Sequence, residues 1–196
     1  MCSTRSSVGS CSFTEQVSSS IISIGGHEIL HQTFTCLNEV FTNDSIRVSQ
    51  TRTNQSVILG SRSSIEGRDE IVCEFPQFMT ECQCGVMFDC QCFEGDVAPD
   101  VFDCLTLVQS VTSANEGSPT FAVEPNHLQV FTLRTCSLSF VNLQNSVVDY
   151  CWDNLNFIGN EAWDRCVSDE SDRVVGATCV PANDEYRISL GPVAST

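Results

Sequence analysis

His27, Glu28 and His31 spell His-Glu-Ile-Leu-His, and six of the chain's thirteen cysteines crowd between Cys73 and Cys104. These are residue types that hold metals or make covalent bridges. Two imidazoles one helical turn apart place both ring nitrogens on one divalent ion, and a neighbouring carboxylate can then take a proton from a metal-bound water. The segment CQCGVMFDCQC carries Cys82, Cys84, Cys90 and Cys92 as two C-x-C pairs. Such thiols either chelate a zinc or copper ion or oxidise to disulfides.

The first pattern resembles the zinc-binding helix of the zincin metallopeptidases. That resemblance implies a hydrolase in which His27 and His31 hold zinc and Glu28 is the general base. It covers these few residues alone. The chemistry needs a helix, whereas the motif follows Gly25-Gly26 and the β-like stretch SSIISI. In a strand of ~3.3 Å per residue, His27 and His31 stand roughly 13 Å apart, too far to share an ion. Phe34 occupies the place where the longer metzincin pattern has glycine, and Asn38-Glu39 follows sooner than the Asn-Glu of thermolysin-like enzymes. The remaining histidine, His127, has no motif around it. These five residues are therefore expected in a strand, and no catalytic residue, metal ligand or cofactor is assigned.

Disulfides are the expectation for the cysteines. Structural zinc favours two to four residues between paired ligands, so C-x-C is tight for it. The nearby Glu81, Asp89 and Glu94 suit either a divalent ion or a solvated loop. In an extended segment both cysteines of C-x-C project from one face, ready to bridge to different partners. The candidates for bridging are Cys36, Cys73, Cys82, Cys84, Cys90, Cys92, Cys104, Cys136, Cys151, Cys166 and Cys179. An odd count leaves one thiol over, and Cys2 and Cys11 in the polar N-terminal stretch are the candidates for an unpaired or intermolecular role. Connectivity does not follow from spacing.

Cysteine usage of this density points to an oxidising, extracellular or cell-surface home. The start, MCSTRSSVGSCSF, has no hydrophobic secretory stretch. The expectation is a numbering that begins after processing, or a Met1 that is not the native start. The sequons Asn43-Asp44-Ser45 and Asn54-Gln55-Ser56 make Asn43 and Asn54 candidate glycosylation sites.

Charge narrows the partners. Twenty-five carboxylates against nine basic residues, every one an arginine, give a formal charge of −16. Nucleic acid is disfavoured because no basic cluster exists to meet phosphates, and anionic headgroups are disfavoured for the same reason. No apolar run approaches the ~20 residues of a membrane span. Cationic groups and divalent cations are the charged partners that fit. The acidic runs EGDVAPDVFD and SDESDR lack EF-hand spacing. Pairs such as Asp100/Asp103 are uninformative in so acidic a chain. No nucleophile elbow or phosphate-cradling glycine loop is present.

The elements that position these residues read as mainly β. SSIISI-GG-HEILHQTF is a hairpin signal. Short runs follow at 45–50, 56–60, 70–75, 101–111, 120–125, 128–134, 136–143, 146–152, 173–180 and 185–190, separated by turn dipeptides. The expected fold is a disulfide-rich antiparallel β-sandwich or jelly-roll-like domain. One short helix is expected near 154–166, where Leu155, Ile158, Ala162 and Cys166 recur at helical spacing. Trp152 and Trp163 flank it, as core residues or as an exposed pair able to meet a sugar ring. Residues 1–20 read as an extended arm and 21–196 as one domain with a Cys-dense insert at 73–104.

Function follows from this architecture. The first expectation is a structural subunit of a self-assembling extracellular filament or coat, its protomers (copies of this chain) linked by strand exchange of the arm. The alternative is a monomeric secreted module that binds a glycan or protein. A zincin-like metallopeptidase is third.

Overall fold

Gly25 and Gly26 take φ of 58° and 82°, the left-handed values that a two-residue hairpin turn demands at both central positions. The chain accordingly reverses there, and β1 (Phe13–Ile24) pairs antiparallel with β2 (His27–Cys36). The structure, a computed structural model, describes residues 13–36, 84–114, 118–168 and 173–193. The other elements are β3 (Phe88–Glu94), α1 (Val101–Val111), β4 (Thr120–Val123), β5 (His127–Leu133), β6 (Cys136–Asn142), β7 (Val148–Cys151), α2 (Trp152–Ala162), β8 (Val174–Pro181) and β9 (Tyr186–Pro192). Seven strands form one antiparallel sheet in the order β1-β2-β5-β6-β9-β8-β3, while β4 and β7 make a separate two-stranded ribbon. The protein is mainly β and disulfide-rich.

Register decides which residues become core. Phe131 lies opposite Leu138, Leu138 opposite Leu190, and Leu190 opposite Ala177, so a row of apolar side chains crosses four strands on one face. Leu107, Val108 and Val111 of α1 and Leu155, Ile158 and Ala162 of α2 are buried in the same cluster. Among the described residues, the layer facing this sheet is thus the two helices with the β4–β7 ribbon. On the opposite face Phe34, Leu128, Val130 and Val141 form a smaller cluster.

Two elements depart from the sequence reading. Residues 101–111, expected as a strand, form α1, so the described residues hold two α-helices where one was expected. Valine, phenylalanine and threonine gave the segment a β-like composition. Its buried apolar residues nevertheless fall at Cys104, Leu107, Val108 and Val111, which is helical periodicity. Asp100 caps it, its side chain accepting from the Phe102 and Asp103 amides. The helix expected at 154–166 starts earlier, at Trp152, and runs on beyond Ala162 as a π-type turn over Trp163–Val167. The second departure is at the N-terminus. Strand β1 begins at Phe13, so residues 13–20 of the expected arm lie on β2 of their own chain. The runs 45–50, 56–60 and 70–75 lie outside the described residues.

One packing device carries a testable consequence. A Cβ added to Gly176 would sit 2.4 Å from the Leu190 carbonyl oxygen and 2.4 Å from Phe93 Cζ, and one on Gly191 would sit 2.9 Å from the same ring atom. The Phe93 ring therefore lies over two glycines of adjacent strands, filling space their missing side chains leave. Gly176→Ala must push β8 from β9, because backbone cannot yield as a flexible side chain can. The expected cost is about 2–3 kcal/mol of unfolding free energy, read by urea denaturation.

Candidate functional site

The His-Glu-Ile-Leu-His segment lies in β2, with His27 opposite Ile24 and His31 opposite Ser20. The two imidazoles are four strand residues apart, roughly 13 Å, so the helical geometry implied by the zincin resemblance is not formed. His31 instead stacks on Phe131, ring centroids 4.6 Å apart and planes within 4°. Burial holds its pKa below the ordinary histidine value, against an opposing hydrogen bond with Gln129, which favours the neutral ring. Among the described residues no three His, Cys, Asp or Glu side chains gather as a metal site.

Eight cysteines are joined as Cys84–Cys151, Cys90–Cys179, Cys92–Cys166 and Cys104–Cys136. Cys36 is disulfide-bonded as well. The second C-x-C pair lies in β3, both thiols on the helix-covered face. Cys90 bridges to its register partner in β8, and Cys92 bridges to Cys166 in the turn after α2. Strand β3 at one sheet edge is thereby tied to the neighbouring strand and to the helical layer. Cys2, Cys11, Cys73 and Cys82, and the sequon residues Asn43 and Asn54, lie outside the described residues.

Both tryptophans pack inward. Trp152 lies against Phe121 with centroids 4.3 Å apart, and Trp163 Nε1 donates to the Val101 carbonyl at 3.0 Å. They join α2 to the ribbon and to α1 rather than forming an exposed pair. A buried hydroxyl pair lies in the same core. Tyr150 Oη and Tyr186 Oη are 3.3 Å apart, and Asn154 Nδ2 donates to Tyr150 Oη. Burial raises the Tyr150 pKa well above the usual phenol value and pushes that of Tyr186 up to about 12. Both hydroxyls stay protonated and serve as internal hydrogen-bond partners.

What the described residues leave unpaired is a strand edge. β1 ends the sheet, and among the described residues no strand pairs with its outer side. Register shifts interrupt its pairing near Glu15 and between Gln16 and Ser18, but the stretch Ser18–Ile24 is regular. That stretch reads SSSIISI, with no charge, proline or glycine. Sheet edges are usually guarded by charges, proline, bulges or shortness; this stretch has none of these, and Ile21 is 70% exposed on it. The opposite edge, β3, is guarded. It is shorter, ends in an irregularity between Phe93 and Glu94, and carries Asp89 and Glu94.

The sequence reading singled out the hairpin but counted residues 13–20 as an arm, since serine and threonine give little hydrophobic alternation. The signal for the edge was the uncharged run itself within so acidic a chain. Compared with models of protein families and with curated proteins, the chain matches none.

Proposed function

We propose that the chain is a structural subunit of an extracellular, self-associating assembly, joined at the open edge of β1. The observation that carries this reading is the unguarded, uncharged strand Ser18–Ile24 at the end of a seven-stranded sheet. An edge of this kind offers main-chain donors and acceptors to any extended segment. Four disulfides among the described residues, with Cys36 bonded as well, support an oxidising compartment, and no described helix is long and apolar enough to cross a membrane. Because residues 13–20 already pair with β2, the contact is edge addition, not donation of that segment to a neighbour. Charge tunes it. Copies carrying −16 each repel at low ionic strength, and salt screens that repulsion.

The test is sedimentation velocity of the full chain over a hundred-fold concentration range, at low and at physiological salt, with negative-stain microscopy of the most concentrated sample. Concentration-dependent oligomers that strengthen with salt are expected. A single monomeric species throughout would overturn the reading. It would favour the second one, a monomeric secreted module binding a protein or glycan, which the in-chain pairing of residues 13–20 supports.

A further inference from the structure

We infer that two copies of this chain pair β1 with β1, antiparallel and two-fold symmetric, in a register centred on Ile21. The inference rests on the self-association reading and specifies its contact.

The geometry starts from the hairpin. Ile24 and His27 face each other across the two-residue turn, which makes them a hydrogen-bonded pair, and such pairs alternate with non-bonded ones along an antiparallel ladder. Ser18, Ser20, Ile22 and Ile24 therefore direct their amide and carbonyl groups at β2. Ser19, Ile21 and Ser23 direct theirs outward, where the described residues supply no strand. An antiparallel copy centred on Ile21 meets the partner's Ile21, with Ser19 opposite the partner's Ser23. Every outward donor and acceptor of these three residues then finds its counterpart, because the two edges are the same edge turned by the two-fold.

Side chains agree with this register. Ile21 is the most exposed residue of β1 for which a large apolar side chain is described, at 70%, and at the axis two such side chains shield each other from water. The facing stretches carry no charge, so two strongly acidic chains meet here without like charges opposed across the contact. A β1–β3 contact lacks these advantages. It would set an uncharged edge against one bearing Asp89 and Glu94, with no cation to meet them. The two-fold contact closes on itself, so it yields a dimer with a continuous sheet; a longer filament would be built from that dimer through other surfaces.

Two variants test the contact in the full, oxidised chain. Ser19→Pro removes an outward N–H while leaving the β1–β2 ladder its bonds. Ile21→Glu places like charges opposite each other at the axis. The expected result is a dimer dissociation constant raised at least ten-fold by either substitution, with thermal unfolding close to that of the parent chain. Association unchanged in both variants would overturn this contact while leaving self-association standing. A parent chain that is monomeric at every concentration would overturn both.

Discussion

Replacing Cys104 and Cys136 by alanine together lowers the unfolding free energy by about 4 kcal/mol. The bridge closes a sequence separation of 32 residues, and chain entropy alone assigns a loop of that length between 3 and 4 kcal/mol. The sulfurs are also core atoms. Both cysteines are fully buried within the main cluster, beside Leu107 and Leu138, so their removal leaves unfilled space as well as a longer free loop. The bridge joins α1 to the start of β6, and α1 supplies Leu107, Val108 and Val111 to the helix-covered face of the sheet. Guanidinium denaturation without reductant reads the effect directly. A loss below about 1 kcal/mol would mean that packing alone holds α1 in place, and that the bridge contributes little beyond the native contacts.

That junction also marks where the sequence was legible and where it was not. Alternation in LQVFTLR and CSLSFVNL was enough to place β5 and β6, although these strands are buried on both faces: Phe131, Leu133, Leu138 and Phe140 lie in the helix-covered cluster, and Leu128 and Val141 lie in the cluster on the other face. The helix α2 was legible through Leu155, Ile158 and Ala162. The helix α1 was not, although Asp100 caps it and its buried residues are spaced for a helix, because a β-rich composition outweighed a period that only four residues carried. Composition is the weaker guide, since tertiary burial routinely overrides propensity.

The cysteines show a different limit. That Cys90 and Cys92 project from one side of an extended strand toward separate partners followed from strand geometry. Which partners they reach, Cys179 and Cys166, depends on β8 and the turn after α2 arriving beside β3, an outcome of long-range topology. The histidine motif is the opposite case. Its residues matched a metal-binding pattern, yet the glycine pair before it sets a hairpin, and His31 stacks on Phe131. The unpaired edge of the described sheet was half visible: the turn was evident, while the length of β1 was hidden by its serine-rich composition.

Asp103→Ala is expected to cost about 2–4 kcal/mol, almost as much as the bridge beside it. The carboxylate is 6% exposed and gathers three donors from the turn between β5 and β6. Thr135 Oγ1 donates to Oδ2 at 2.8 Å, the Thr135 amide at 3.3 Å, and Arg134 Nη1 donates to Oδ1 at 3.1 Å. The Asp100 amide in turn donates to Thr135 Oγ1 at 2.9 Å, so the helix cap and the turn form one chain of hydrogen bonds. Removing the buried carboxylate breaks all three bonds, and bonds to a charged group are worth about 1.5–3 kcal/mol each before the losses overlap and before water replaces the carboxylate at the exposed Arg134 and Thr135. Arg134→Ala should cost less than about 1 kcal/mol, because its side chain is 75% exposed and water screens the pair.

Acid gives an independent reading of the same group. Burial by itself would raise the Asp103 pKa, but the Thr135 and Arg134 hydrogen bonds outweigh it and hold the carboxyl below the ordinary aspartate range. A depressed folded pKa means stability that is fully present above the unfolded value of about 3.9 and is lost as pH falls through the folded value. The parent chain should therefore lose stability on acidification by more than Asp103→Ala does, and the two curves should converge at low pH. Coupling supplies the last discrimination. Asp103 and Cys104 are neighbours, as are Thr135 and Cys136, so both ties clamp the same helix end to the same hairpin. If they act as one unit, Asp103→Ala costs measurably less in the chain already lacking the Cys104–Cys136 bridge, because the helix end it would have released is already loose. Strict additivity would instead show that each tie restrains α1 independently of the other.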